Sequence, residues 1–299
     1  MNSSRHLSTP SGNIPLPAYI PVTTFGGKYP LDALIQPYLP RLSHAIMVSY
    51  YYARQMKQRP RLPLMVDSGG FAMLFEGSKL VDRDGLGILQ IQREDNVETL
   101  HPADILDFQE KCADIAFTLD FPIPPGLDPI ESARRQRYTI TNAIWSLQNR
   151  RRREMRLFAC IQAWDADSAA ACARKLKGHH FDGFAIGGLV PRARDWELVS
   201  SIVTAVRQEI GDRPLHVFGL GKPATTSKLF EMGVDSVDSS SYVKLAADGR
   251  LWENPEFKLE DPSTPELLQL AISNLATASR TRLPLQLMTT ARDPALHAM

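Results

Sequence analysis

The sequence predicts an α/β protein, a single (β/α)8 barrel with loop insertions, on three observations. Short apolar runs of strand length alternate with longer segments of helical period, the rhythm of parallel βαβ units. Run after run ends abruptly on a carboxylate, an amide or paired glycines, as a buried strand does where it emerges into a site. The turn Gly219-Leu220-Gly221 falls late in the chain, whereas an open doubly wound sheet places its glycine-rich phosphate turn after the first strand.

The 299 residues, 43% of them hydrophobic, suffice for one large core. A net charge of +1 excludes a global field of the kind that marks a nucleic-acid binder, so any such surface is a local patch. Cys112, Cys160 and Cys172 are odd in number and lack CxxC spacing, which argues for a reducing compartment and against a disulfide framework or clustered zinc site. The stretch from Met1 to Pro21 is rich in Ser and Pro without an apolar signal core, and no run approaches the ~20 apolar residues of a membrane span. A cytoplasmic protein with no membrane partner is expected.

In chain order, residues 1–30 read as an irregular lead-in with room for an edge hairpin, because prolines and glycines crowd Asn13 to Pro30. The barrel domain is expected over 31–260. Ser43 to Val48 is its first visible strand, followed by Tyr50, Tyr51 and Tyr52, which read as packing residues, and a short helix to Lys57. Leu64-Met65-Val66-Asp67 is the second, running into Ser68-Gly69-Gly70-Phe71. Its glycines let backbone approach a flat ligand, and Phe71 offers that ligand an apolar face. The polar stretch from Glu76 to Val97 reads as a functional or mobile loop.

Pro102 then opens a helix to Lys111. Asp114 to Asp120 is a strand stopped by the proline run Phe121-Pro122-Ile123-Pro124-Pro125-Gly126. Asp128 to Arg150 is a long helix with Ile140, Ile144 and Leu147 on one side, leading into Arg150-Arg151-Arg152-Arg153, a solvated helix end or a phosphate clamp. Leu157 to Ile161 ends on Gln162, Phe181 to Ile186 on Gly187-Gly188-Leu189, Leu215 to Phe218 on Gly219, and Val234 to Val237 on Asp238. Helices over Asp167 to Leu176, Trp196 to Ile210 and Thr225 to Met232 lie between them. That makes about seven strands, with the eighth left to one of the terminal segments. Residues 261–299 are expected to hold a helix over Pro265 to Ala276 and a disordered tail beyond Thr289.

In a (β/α)8 barrel the site sits at the carboxyl ends of the strands. Asp67, Asp120, Gln162, Gly187, Gly188, Gly219 and Asp238 would therefore converge on one pocket. Carboxylates, an amide and exposed backbone amides suit a flat ring carrying several donors and acceptors, and guanine fits that description. The set requires no metal and no cofactor. The bland alternative, strand-end Asp residues capping the following helices, explains one or two of these positions but not all of them.

Asp67-Ser68-Gly69-Gly70-Phe71, Phe117 to Asp120, Ile161-Gln162, Phe181 to Leu189, Gly219-Leu220-Gly221-Lys222-Pro223 and Gly233 to Asp238 together resemble the tRNA-guanine transglycosylase family. The likeness covers roughly Leu64 to Trp252. It implies a TIM barrel in which Asp238 is the nucleophile attacking C1′ of a guanosine and Asp67 the general acid/base for leaving and incoming base. It also implies that Ser68, Phe71, Asp120, Gln162, Gly187, Gly188, Leu189, Phe218 and Gly219 form the base pocket, with Phe71 and Phe218 sandwiching the ring. Two displacements at one carbon would return the original configuration, and burial should raise one catalytic carboxylate above the other.

The departures from the family pattern also carry expectations. The Cys/His zinc site of the bacterial tRNA enzymes is missing: from Asn254 onward there is no cysteine and His297 is the only histidine. Ala193 stands where the family commonly has an acid that pairs with an aminomethyl group, so an uncharged substituent such as that of 7-cyano-7-deazaguanine fits better. A zinc-less member resembles the branch that modifies DNA. The favoured expectation is accordingly a DNA-guanine transglycosylase with Arg150, Arg151, Arg152, Arg153, Arg192, Arg194 and Lys244 on the nucleic-acid backbone. The alternatives are an enzyme acting on tRNA and a non-catalytic nucleic-acid-binding subunit. An accessory protein or a second copy of the chain is a candidate further partner.

Overall fold

The computed structural model describes residues 5–94 and 96–281. Two short strands, β1 (His6–Thr9) and β2 (Gly12–Pro15), form an antiparallel hairpin. Eight further strands close a parallel barrel: β3 (Ala18–Thr23), β4 (Ile46–Ser49), β5 (Leu64–Asp67), β9 (Ile115–Phe117), β10 (Arg156–Ile161), β11 (Gly183–Ile186), β12 (Leu215–Val217) and β13 (Ser236–Ser239). They follow one another around the barrel in chain order, and β13 pairs with β3, Asp238 opposite Ile20, to shut the ring. The missing eighth strand is thus β3, inside the segment expected to be an irregular lead-in. The barrel begins there rather than after residue 30. Pro17 and Pro21 disguise it in sequence, but proline is tolerated at strand starts and where its missing N–H leaves no ladder bond broken.

Helices α1 (Pro30–Ile35), α2 (Leu39–Leu42), α3 (Tyr50–Ala53), α4 (Pro102–Cys112), α5 (Pro129–Asn149), α6 (Ala166–Lys177), α7 (Trp196–Ile210), α8 (Pro223–Glu231), α9 (Ser241–Ala247) and α10 (Thr264–Ser279) surround the barrel or cover its rims. Aspartates start several of them. Asp128 accepts from the amides of Ile130 and Glu131, and Asp165 forms a capping box with Ser168. Outward residues of the strands, among them Val66, Leu157, Ile161, Ile186 and Val217, pack against helix residues such as Val199, Ile202 and Val203. Met47, Met65, Phe117, Phe158, Cys160 and Ala185 fill the barrel interior. The fully buried methionine and phenylalanine side chains among them contribute about 1.5–3 kcal/mol each.

The stretch from Glu76 to Val97 is not the open loop expected from its glycines and charges. It folds, with Val97–Leu100, into a three-stranded antiparallel sheet of β6 (Lys79–Arg83), β7 (Leu86–Gln92) and β8 (Val97–Leu100), inserted between β5 and α4. Leu80, Leu89, Ile91 and Leu100 form a separate small core with Met73, Ile105, Phe121 and Tyr138. Asn142 of α5 clamps β7 from the side, accepting from the amide of Gly87 at 3.0 Å and donating to its carbonyl at 2.9 Å. The C-terminal helix runs through Ser279, and the tail beyond Thr289 lies outside the described residues. No helix among the described residues is long and apolar enough to cross a membrane.

Candidate active site

Side chains alternate along a strand, so residues two apart share a face. Met65, Cys160 and Ala185 point into the barrel, and two positions further on stand Asp67, Gln162 and Gly187, at or just past the carboxyl ends of their strands. The same alternation takes His216 to Phe218 and Ser236 to Asp238. Residues 20 to 171 positions apart in the chain therefore meet on the interior side of one rim.

Asp120 anchors one side of this rim. It is 5% exposed, accepts from the Ser68 hydroxyl at 3.2 Å and from the Gln162 side-chain amide, and sits against Gly70, where any Cβ would overlap its backbone. Ser68 thus holds Asp120. Burial raises the Asp120 carboxyl above its ordinary value, and the bonds from Gln162 and Ser68 oppose that rise. The carbonyl oxygen of the Gln162 side chain is buried with no hydrogen-bond partner among the described residues. Side chains on Gly187 or Gly188 would collide with that amide, and Gly188 also has φ of +72°, so the glycines are required here for space and for conformation.

Asp67 is half-buried at the end of β5, beside Ser49 of β4. Burial, reinforced by the charges of Asp120 and Asp238, pushes its pKa up to about 7, while the amides of Ser68 and Gly69 pull it down. Asp238, 7% exposed, lies on β13. One of its oxygens, Oδ1, is 3.0 Å from Nε2 of His216 and accepts from the amide of Gly219 at 3.1 Å. His216 is fully buried, with Nδ1 2.8 Å from the Ser236 hydroxyl. It is absent from the site expected from sequence, although a histidine at an inward position of the otherwise apolar strand Leu215-His216-Val217-Phe218 was a legible signal.

Phe218 packs edge-on to Phe117 and His216, each with a centroid separation of 4.9 Å, and forms a wall of the interior. Phe71, on the 3-10 turn Gly70–Leu74, is 57% exposed at the rim beside Phe75. Two expected pocket residues are engaged elsewhere. Leu189 is buried in the layer between barrel and helices, and the Gly219 amide is bonded to Asp238.

The expected cationic surface divides in two. Arg150 to Arg153 precede β10 and so lie at the amino ends of the strands, away from the carboxylates. Arg150 is buried against Asp182, Arg151 pairs with Asp107 and Glu110, and Arg152 binds Glu154 and the carbonyls of Glu110 and Ala113. Arg153 is exposed on that same far face. Arg192 is at the correct end but buried, donating to the carbonyls of Ile123 at 2.7 Å and Gly188 at 2.8 Å, which ties the two loops together. Arg150, Arg151, Arg152 and Arg192 are engaged within the fold because carboxylates and carbonyls, most of them distant in sequence, reach them first. Arg194 and Lys244 are exposed at the carboxyl end. Lys28, missed in sequence, joins them: its ammonium lies 5.5 Å from the Tyr29 ring, and that of Lys244 5.6 Å from the same ring.

A closed parallel barrel with three carboxylates and an amide on its carboxyl rim defines a class: (β/α)8 barrel proteins with a polar candidate site at the carboxyl ends of the strands. Comparison with known proteins goes one step further. The family model described as queuine tRNA-ribosyltransferase matches residues 4–266, and the chain belongs to that family. It is 29% identical over 261 residues to a tRNA-guanine(15) transglycosylase of Methanothermobacter thermautotrophicus, covering 85% of this chain and 38% of the relative. A protein of the same description from Pyrococcus abyssi is 31% identical over 182 residues, covering 58% and 30% of the two chains. One from Pyrococcus furiosus is 27% identical over 243 residues, covering 79% and 40%. The chain thus spans 40% or less of the length of these relatives.

Proposed function

We propose that this chain is a pentosyltransferase that exchanges a guanine of tRNA for a 7-deazaguanine, through a glycosyl ester on Asp238. The observation that carries the reading is the shared rim of Asp67, Asp238 and the Asp120–Gln162 pair, with an amide oxygen that has no partner among the described residues beside glycines that admit a flat ring. Asp120 and the Gln162 carbonyl accept from N1–H and the 2-amino group, and the remaining N–H of Gln162 donates to O6. Phe218 and Phe71 cover the two faces of the ring.

A carboxylate oxygen of Asp238 attacks C1′, and the C1′–N9 bond breaks with its electron pair going to N9 of guanine, which takes the proton of the Asp67 carboxyl group. Asp67, now a carboxylate, removes the N9 proton of the incoming base, whose N9 displaces Asp238 and restores the free carboxylate. A pKa near 7 suits a group that must serve as acid in one step and base in the next. The target nucleotide has to leave its stack to reach this rim.

The relatives named above are described as acting on tRNA, which favours tRNA over the duplex DNA first expected from the missing zinc ligands. Val190 and Ala193 follow the glycine pair and offer no anion to an ammonium, which supports an uncharged substituent such as a nitrile on the deazaguanine. Lys28, Arg194 and Lys244 are the candidate phosphate contacts.

Labelled guanine is incubated with the chain and either a tRNA transcript or duplex DNA. Incorporation into tRNA alone is the expected result, incorporation into DNA alone would restore the other substrate, and incorporation into neither would overturn the reading. Asp238→Asn should abolish both exchange and the covalent RNA–protein adduct on a denaturing gel.

A further inference from the structure

We infer that His216 is a positioning residue for Asp238: with the Gly219 amide it holds Oδ1, so that Oδ2 is the attacking oxygen and the glycosyl ester stays short-lived. The inference rests on the reaction proposed above and adds to it the choice of oxygen and the fate of the intermediate.

A carboxylate only accepts, so the 3.0 Å contact between His216 Nε2 and Asp238 Oδ1 requires the proton on Nε2. In the neutral ring Nδ1 then accepts from the Ser236 hydroxyl, 2.8 Å away, which holds this tautomer. The ring cannot turn away, because it is fully buried and flanked by Phe117 and Phe218 at centroid separations of 5.2 and 4.9 Å. Gly219, at φ of +77°, brings a second N–H to the same oxygen at 3.1 Å. Two donors thus converge on Oδ1, while Oδ2 receives no bond from the described residues.

The consequence follows from where charge resides. In the free carboxylate Oδ1 carries about half of a negative charge, and in the ester it is a weakly accepting carbonyl. Donors to Oδ1 therefore stabilise free Asp238 more than its glycosyl ester. When N9 of the incoming base attacks C1′, the C1′–Oδ2 bond breaks and its electron pair returns to the carboxylate, where His216 and Gly219 meet it. Without the histidine donor the ester becomes a trap.

The test compares wild type, His216→Phe, His216→Gln and Ser236→Ala as full-length chains with a tRNA transcript and labelled guanine. His216→Phe keeps a ring between the two phenylalanines but loses the donor. It should lower kcat about 10- to 100-fold, the range of one charge-assisted hydrogen bond, leave KM for guanine within about threefold, and raise the fraction of RNA trapped as adduct. His216→Gln can place an N–H near the Nε2 position and should recover most of kcat and return the adduct to its wild-type level. Ser236→Ala should shift both readouts in the same sense as His216→Phe but less. This keeps the proposal falsifiable if the phenylalanine variant fails to fold. Unchanged adduct and kcat in His216→Phe, or a loss in His216→Gln as large as in His216→Phe, would overturn the proposal alone. A wild-type chain that incorporates no labelled guanine into the RNA would overturn the reaction on which it rests.

Discussion

Asp67 illustrates how position alone retunes a side chain. It ends a strand of buried residues with two further carboxylates nearby, and the charged form suffers for it. The folded chain binds this proton more tightly than the unfolded one, so stability falls as pH rises from about 4 to about 7 and stays lower above that window. Asp67→Asn should therefore raise the melting temperature at pH 8 relative to wild type, and raise it less at pH 5, as a thermal-melt series will show. The same substitution should abolish exchange. Wild-type exchange should pass through a maximum near pH 7, since departure of guanine needs the acid and entry of the new base needs the carboxylate. Gly188→Ala should raise KM for the base at least tenfold, because the new methyl would collide with the Gln162 amide in a backbone conformation that disfavours side chains.

At the scale of elements, the inserted sheet is the instructive case. Its first strand, β6, exposes Lys79, Asp82 and Arg83 and so presents no long apolar signal, and Gly85 and Gly87 resemble loop punctuation. Gly85, at φ of +81°, makes the turn between β6 and β7. Gly87 lets that strand pass against Phe121 and Tyr138. Asn142→Ala would leave the buried amide and carbonyl of Gly87 without partners, and denaturant titration should show a loss of roughly 2–4 kcal/mol. Sequence reading also misjudged Arg192. Its chemistry suits phosphate, but its guanidinium fastens the Gly188 loop to the Ile123 loop.

At the scale of the whole molecule, the barrel has two ends with different occupations. The carboxyl end gathers the acids, the glycines and the exposed Lys28, Arg194 and Lys244. The amino end holds Arg150, Arg151 and Arg152 in ion pairs and carbonyl bonds, with Arg153 exposed beside them. If tRNA docks on the carboxyl end, Lys244→Ala should weaken RNA binding and reduce the steepness of its salt dependence by about one phosphate contact. Arg151→Ala should leave both unchanged. Filter binding at several salt concentrations distinguishes the two, and the reverse outcome would move the RNA to the other face.

The barrel, seven of its strands and the positions of Asp67, Asp120, Gln162 and Asp238 were legible in sequence, because burial imposes apolar runs and a site interrupts them at fixed places. Family resemblance added roles to these positions. What sequence did not determine are the relations that depend on which groups become neighbours. β3 is held in the ring by its partners β13 and β4 despite its prolines, and His216 acquires its place only because β12 lies beside β13. Within the arginine run, Arg150 is paired by Asp182 and Arg151 by acids from α4. A one-dimensional pattern records whether a side chain avoids water. The group it meets after leaving water is decided by strand order and register, which exist only once the barrel has closed.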